Sequence, residues 1–265
     1  MEPSGGFAWV QAGGRPALVC RPLEATAHHL YTTRQWALGT PENAVATEPD
    51  RAWEEIAGAA GVQPDHLVRV RQIHGVSVHR ARAGLRAGPL PEADIIISND
   101  PSVAIAIQTA DCVPLLLADT RGDGVAAVHA GWRGLALRAP SVGVEALVRA
   151  FGTRPDDIVA AAGPSISAAR YEVGADVRQR FEHGGFDRLD RWFLPGVRAE
   201  HWQFDGWQAT RDQLVAAGLA PERILIAALC TAANPDSFCS YRRAGSPAGR
   251  MAAVIRARGG NMRLT

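Results

Sequence analysis

Apolar residues along the chain fall into short runs separated by polar and glycine-rich breaks. In the central third, residues 94–98, 103–109, 113–118 and 125–130 are such runs, rich in Ile and Val. Runs of this length predict strands. Strands are also predicted at 7–10 and 17–20, around the Gly13-Gly14 turn, at 67–72, which leads into His74-Gly75, and at 158–163, 224–230 and 251–257. Helical patterns are predicted over 50–60, with Asp50 as N-cap, within 135–151, started or interrupted near Pro140, and over 174–183 and 205–217. Strand clusters mixed with helices, without regular βαβ alternation, indicate an α+β fold with a mixed sheet. No repeat or long linker divides the 265 residues, so one domain over 1–265 is expected, with 47% hydrophobic composition supplying an ample core.

Charge removes several classes of function. The formal net charge is +1 and the pI is near 7.8, which gives no electrostatic footprint for nucleic acid or an anionic membrane. There is no lysine, so a Walker lysine, a Schiff-base lysine and a Ser-x-x-Lys nucleophile are all excluded. Residues 1–14 lack the basic start and apolar run of a signal peptide, and no stretch approaches the ~20 apolar residues of a membrane span. Cysteines at 20, 112, 230 and 239 are too sparse for a disulfide framework, so a reducing cytoplasm is the expected compartment.

The most informative local pattern is 113–130. Asp119-Thr120-Arg121-Gly122-Asp123-Gly124 reads as the turn of a β-hairpin. Pairing centred near Arg121 and Gly122 sets Cys112 opposite Gly131, within two positions of His129. Diagonal neighbours lie about 7–8 Å apart at most, so the two side chains can share a metal, provided that the register does not slip by one. Pro114 predicts an edge position or a bulge. His74 lies at another strand boundary, between Gln72 and Gly75. Two imidazoles and a thiolate can form a Zn²⁺ triad with a fourth position open for water. Spacing alone reads Cys112 first as a small core residue and only then as a ligand. The His28-His29 pair, His66 and His79 read first as structural or solvated residues, and Trp132 as packing on which a purine could stack.

Several segments then resemble one family: Arg-Gln-Ile-His-Gly at 71–75, Ala-Asp-Cys-Val-Pro-Leu-Leu-Leu at 110–117, Val-His-Ala-Gly-Trp-Arg-Gly at 128–134, Ala-Gly-Pro-Ser-Ile at 162–166, Tyr-Glu-Val-Gly at 171–174, and Cys230-Thr231 followed by Ser-Tyr-Arg-Arg at 240–243. This combination resembles the YfiH/laccase-domain family, also called the polyphenol oxidase or purine nucleoside phosphorylase family, over roughly residues 65 to 257. The resemblance implies a mixed-sheet α/β sandwich of YfiH-like, cysteine hydrolase-like fold, with zinc on His74, Cys112 and His129. It further implies phosphorolysis of adenosine, inosine, guanosine and methylthioadenosine, with adenosine deamination as a second activity. The family has also carried a copper laccase label, which keeps copper open as the metal, and a proposed role in correcting peptidoglycan precursors. The chain departs from the pattern at Gln35-Trp36-Ala37, where paired glycines would follow Arg34, at Asp50-Arg51, where Asn-Arg is usual, and at Cys239, where a second Phe is favoured.

For the chemistry, Asp111 is the candidate proton shuttle, its alternative being a turn-capping or second-shell role. Arginine forks suit phosphate. The candidates are Arg34, Arg71, Arg133 and Arg242, with Gln72 and Tyr241 orienting the nucleoside. The partners expected are small molecules acting on a monomer or homodimer. The competing readings are a hydrolase with Cys112 as nucleophile, a copper oxidase, and a non-catalytic metal binder.

Overall fold

In a computed structural model of the protein, which describes residues 1–39, 48–84, 89–122 and 124–259 (with the side chains of 48–50 left out), the apolar runs become strands. In chain order these are β1 (Phe7–Ala12), β2 (Arg15–Cys20), β3 (Ala27–Thr32), β4 (Leu67–Val68), β5 (Val78–Arg80), β6 (Ile95–Ser98), β7 (Ala104–Thr109), β8 (Val113–Asp119), β9 (Val125–Ala130), β10 (Ile158–Ala162), β11 (Glu172–Gly174), β12 (Phe193–Pro195), β13 (His201–Phe204), β14 (Ile224–Ile226) and β15 (Met251–Ala257). The α-helices are α1 (Arg21–Glu24), α2 (Glu48–Ala59), α3 (Trp132–Ala136), α4 (Ala139–Phe151), α5 (Ala175–His183), α6 (Gly206–Ala216) and α7 (Tyr241–Ala244). No helix among the described residues is long and apolar enough to cross a membrane.

Two six-stranded sheets, β1-β2-β3-β15-β7-β4 and β14-β10-β8-β9-β6-β5, form the body, beside a small β11-β13-β12 sheet. Both large sheets are mixed: β4 runs parallel to β7, β10 to β14 and β5 to β6, the other pairs being antiparallel. Between the large sheets, Leu116, Ala118 and Ala127 of the second meet Ile105, Ala253 and Ile255 of the first. On the outer side of the second sheet, Leu115, Leu117 and Val128 meet Val144 and Leu147 of α4 and Leu214 of α6. On the outer side of the first, Ala106 and Val254 meet Trp53 and Ile56 of α2. Strand β8 is therefore buried on both faces, which is why its sequence runs apolar without alternation.

Four local expectations need correction. Pro114 lies in an interior strand, not at an edge. It is tolerated because its missing N–H falls at the end of the ladder: Gly163 donates to the Pro114 carbonyl, and the Gly163 carbonyl takes the Ser165 hydroxyl. The 67–72 strand keeps only Leu67–Val68, since further on the Gln72 amide takes both the N–H and the carbonyl of Gln108. The 224–230 strand stops at Ile226, ahead of the left-handed backbone at Ala228 (φ 52°). Helix α2 begins at Glu48, which puts Asp50 inside its first turn and not at the N-cap; the Asp50 side chain lies outside the described residues, as does Asp123 of the 119–124 turn.

Candidate metal centre

The hairpin register is the one its sequence predicts: Val113 pairs with Ala130 and Pro114 with His129, so Cys112 enters the strand opposite Gly131. His74 arrives from the loop after the Arg71–Glu92 bridge. The ligating atoms of His74, Cys112 and His129 all lie within 4.8 Å of one another, and the two imidazoles meet edge to face at 4.9 Å. His129 is buried, Cys112 half-buried and His74 exposed, so the cluster opens to one side. His74 (φ 60°) and Asp111 (φ 91°) both hold backbone conformations that non-glycine residues seldom adopt. Strain of this kind concentrates at functional sites.

Asp94, at the start of β6, builds the site from underneath. Its Oδ1 lies 2.8 Å from His129 Nδ1 and accepts the His74 N–H at 2.9 Å; its Oδ2 accepts the N–H groups of Ile73 at 3.2 Å and Gly75 at 2.6 Å. One fully buried carboxylate thus fixes the His74 loop and holds the proton of His129 on Nδ1, leaving Nε2 for the cluster. Burial pushes Asp94 upward, but the His129 ring and these amides pull its pKa below the ordinary value. Burial likewise raises Cys112, and the His129 and His74 imidazoles more than offset it, bringing the thiol down to about 6. The same thiolate, with Asp94, lifts His129 to about 9 against its burial. The sequence hides Asp94 among the strand residues; the one signal is a carboxylate set flush against an Ile-Ile-Ile run with no turn former beside it.

The donors fit a zinc-sized ion. A thiolate and two imidazole nitrogens form a known tetrahedral donor set with a position to spare. The backbone makes room: a Cβ on Gly131 would lie 2.8 Å from Cys112 Sγ and 3.4 Å from His74 Cδ2, so glycine is what lets the two side chains converge there. Gly131 has φ −73°, so the constraint is space and not backbone conformation.

The remaining predicted residues separate. Arg133 stacks on Trp132 at 4.4 Å, and Arg242 lies over Tyr171 at 5.0 Å while donating to the Glu172 carbonyl. Trp132 and Tyr171 line a small open hollow beside Cys112, walled by Leu135, Ile166 and Phe204. Sequence reasoning missed Tyr171, whose hydroxyl is pushed to a higher pKa by burial and by Cys112. Tyr241 is 55% exposed at the start of α7. Arg71 pairs with Glu92, Arg34 donates to the Pro235 carbonyl, and Gln72 is spent on Gln108. Both Asp111 oxygens are engaged by Thr231, Ser240 and the Arg242 amide. Where the chain lacks paired glycines, Ala37 itself turns left-handed (φ 50°) and Trp36 is fully buried, its indole N–H on the Pro16 carbonyl.

Comparison with known proteins bears on this arrangement. The family described as multi-copper polyphenol oxidoreductase laccase matches residues 31–258. A Deinococcus radiodurans protein named purine nucleoside phosphorylase is 35% identical, covering 92% of this chain and 94% of its own. A protein of an unknown prokaryotic organism, named adenosine deaminase RL5, is 35% identical over 74% of this chain and 76% of its own. Among solved structures, YlmD of Geobacillus stearothermophilus aligns with TM-score 0.82 at 25% identity, covering 91% of this chain and 96% of that one. The Bacillus licheniformis YfiH protein aligns with TM-score 0.83 at 24% identity over the same shares.

Proposed function

Because the chain belongs to the multi-copper polyphenol oxidoreductase laccase family, we propose that it is a zinc-dependent purine nucleoside phosphorylase with adenosine deamination as a second activity. The observation that carries the reading is the His74, Cys112 and His129 cluster, open on one side and oriented from behind by Asp94. Zinc held there would supply a Lewis acid and, through a coordinated water of pKa near 7, a nucleophile for deamination at neutral pH. The other tasks fall to the chain itself. Asp94 keeps His129 in one tautomer and the His74 loop in place. Arg133 and Arg242, neither in an ion pair among the described residues, offer guanidinium donors to phosphate beside the hollow. Trp132 and Tyr171 give the hollow aromatic walls against which a purine can pack.

Zinc is favoured over a blue-copper site because the latter needs a weak axial donor, often Met. Met251 is packed between the sheets with its sulfur on the Cys239 amide. One observation favours a second reading, a hydrolase with Cys112 as nucleophile: the thiol is poised toward thiolate beside two imidazoles. Metal decides between them, since a zinc-bound thiolate is occupied.

The test follows adenosine and inosine by chromatography, with and without phosphate, on metal-quantified wild type and Cys112→Ala. Phosphate-dependent release of adenine or hypoxanthine, absent in the variant, is the expected result. Inosine formed from adenosine without phosphate adds deamination. No turnover of either nucleoside by zinc-loaded protein refutes the proposal.

A further inference from the structure

Asp111 precedes Cys112 directly, yet its carboxylate is turned to a distant stretch of chain. Oδ1 accepts the Thr231 hydroxyl at 2.5 Å; Oδ2 accepts the Ser240 hydroxyl at 3.0 Å and the Arg242 backbone N–H at 2.7 Å. Asp111, Thr231 and Ser240 are buried while Arg242 is exposed, and the Asp111 carbonyl also takes the Ile166 N–H. Helix α7 starts after Ser240, whose own side chain makes no cap bond. Asp111 supplies the missing acceptor, and its negative charge suits the first turn of a helix. A side chain with three donors already on its two oxygens is poorly placed to carry protons. It is well placed to fasten the 230–242 segment to the ligand loop.

What that fastening positions is Arg242. One of its guanidinium nitrogens donates to the Glu172 carbonyl, its plane lies over Tyr171, and its other N–H donors make no hydrogen bond among the described residues. Arg133, stacked on Trp132, makes none. The two cations therefore stack on two rings that line the hollow beside Cys112, Trp132 and Tyr171, with donors to spare, and paired guanidinium groups suit a tetrahedral oxyanion.

Resting on the phosphorolysis reading, we propose that Asp111 is a positioning residue for the anionic co-substrate: by holding the Arg242 backbone against the metal-ligand loop, it sets the affinity for phosphate without itself touching the reacting atoms. The test compares zinc-quantified wild type, Asp111→Asn, Arg242→Gln and the double variant. Asparagine keeps the size and tolerates the positive φ, but it has one accepting oxygen in place of two and no negative charge, so it weakens the hold on the Thr231, Ser240 and Arg242 donors together. Inorganic phosphate is titrated calorimetrically into each protein, and phosphate KM and kcat are measured on inosine. Asp111→Asn is expected to keep its zinc, to hold kcat within about twofold, and to raise phosphate Kd and KM about tenfold. Acting through Arg242, it adds nothing to the loss in Arg242→Gln.

Unchanged phosphate affinity in Asp111→Asn, additive losses in the double variant, or a wild type that binds no phosphate would each overturn the inference. If Asp111→Asn fails to fold, Thr231→Val removes one of the three donors instead. It is expected to weaken phosphate about two- to threefold, and no change would count against the proposal. Inosine turnover by wild type with phosphate affinity indifferent to Asp111 sinks this inference alone. Phosphate binding that depends on Asp111 without any nucleoside turnover sinks the phosphorolysis reading alone.

Discussion

On β3, His29 uses Nε2 to accept the backbone N–H of Cys20 at 2.8 Å; on β9, His129 turns Nδ1 to the Asp94 carboxylate, also at 2.8 Å, and keeps Nε2 for Cys112. Both imidazoles are buried on strands of the large sheets and both neighbour a cysteine. Their electrostatics run in opposite directions. Burial drives His29 down to about 4, with only weak opposition from the Ala27 carbonyl and Glu24, and drives the Cys20 thiol up to about 11. At the other pair a carboxylate stands behind the ring, so His129 rises to about 9 and Cys112 falls to about 6. A histidine beside a cysteine is therefore not a site in itself. The buried acceptor behind the ring, and the room that Gly131 leaves beside Cys112 and His74, make one pair part of a candidate metal centre and leave the other a piece of core.

The contrast can be broken from either end. Cys112→Ala, which removes the thiolate, is expected to abolish stoichiometric metal binding and to lower turnover at least about a thousandfold, more than loss of an outer-shell partner costs; metal quantification and the nucleoside assay read both. Asp94→Asn leaves every ligand in place but cannot satisfy the His129 N–H and the three amides together. It is expected to cost about 10- to 100-fold in metal affinity or activity, as outer-shell partners of zinc histidines do, measured by competition with a chelator. Gly131→Ala puts a methyl group 2.8 Å from Cys112 Sγ. The expected cost is about tenfold in metal affinity with folding intact, within the range of overpacking penalties; an unchanged affinity would mean that the two side chains converge with room to spare.

The smallest effect on the centre belongs to His29→Gln, which should leave bound metal untouched. It acts on acid stability instead. His29 titrates near 6.5 when unfolded and near 4 when folded, so the unfolded chain gains the proton first. Stability from this residue is complete above about 6.5, is lost as pH falls toward 4, and amounts to roughly 2 kcal/mol between pH 7 and pH 5. Urea unfolding at those two pH values should show a loss of stability on acidification that is smaller by about that amount in His29→Gln than in wild type. Equal slopes would mean that His29 is not the buried neutral group described here.

Much of this was legible in the residues. The hairpin register followed from the symmetry of 113–130 about its turn, and it delivered Cys112 and His129 to one end of the sheet. The doubly buried strands announced themselves as unbroken apolar runs, since both faces of β8 are covered. What the sequence concealed came from contacts distant in the chain. Asp94 serves residues 20 positions before it and 35 after it. Asp111 reads from its neighbour Cys112 as a proton shuttle or as a turn-capping residue, and nothing local shows that the partners of its carboxylate lie 120 or more residues away. Gln72 resembled a substrate contact and instead mimics a strand's ladder bonds. Side-chain acceptors that replace backbone pairing leave no periodicity to read.

The proposed zinc centre takes one sulfur and two imidazoles from this chain and keeps a fourth position open. X-ray absorption at the zinc edge of zinc-loaded protein tests it most directly. One sulfur at about 2.3 Å, two imidazole nitrogens at about 2.0–2.1 Å and one further light atom are expected, with the sulfur shell gone in any residual zinc bound by Cys112→Ala. A sulfur-free coordination sphere in wild type, or a sulfur shell that survives the substitution, would contradict it.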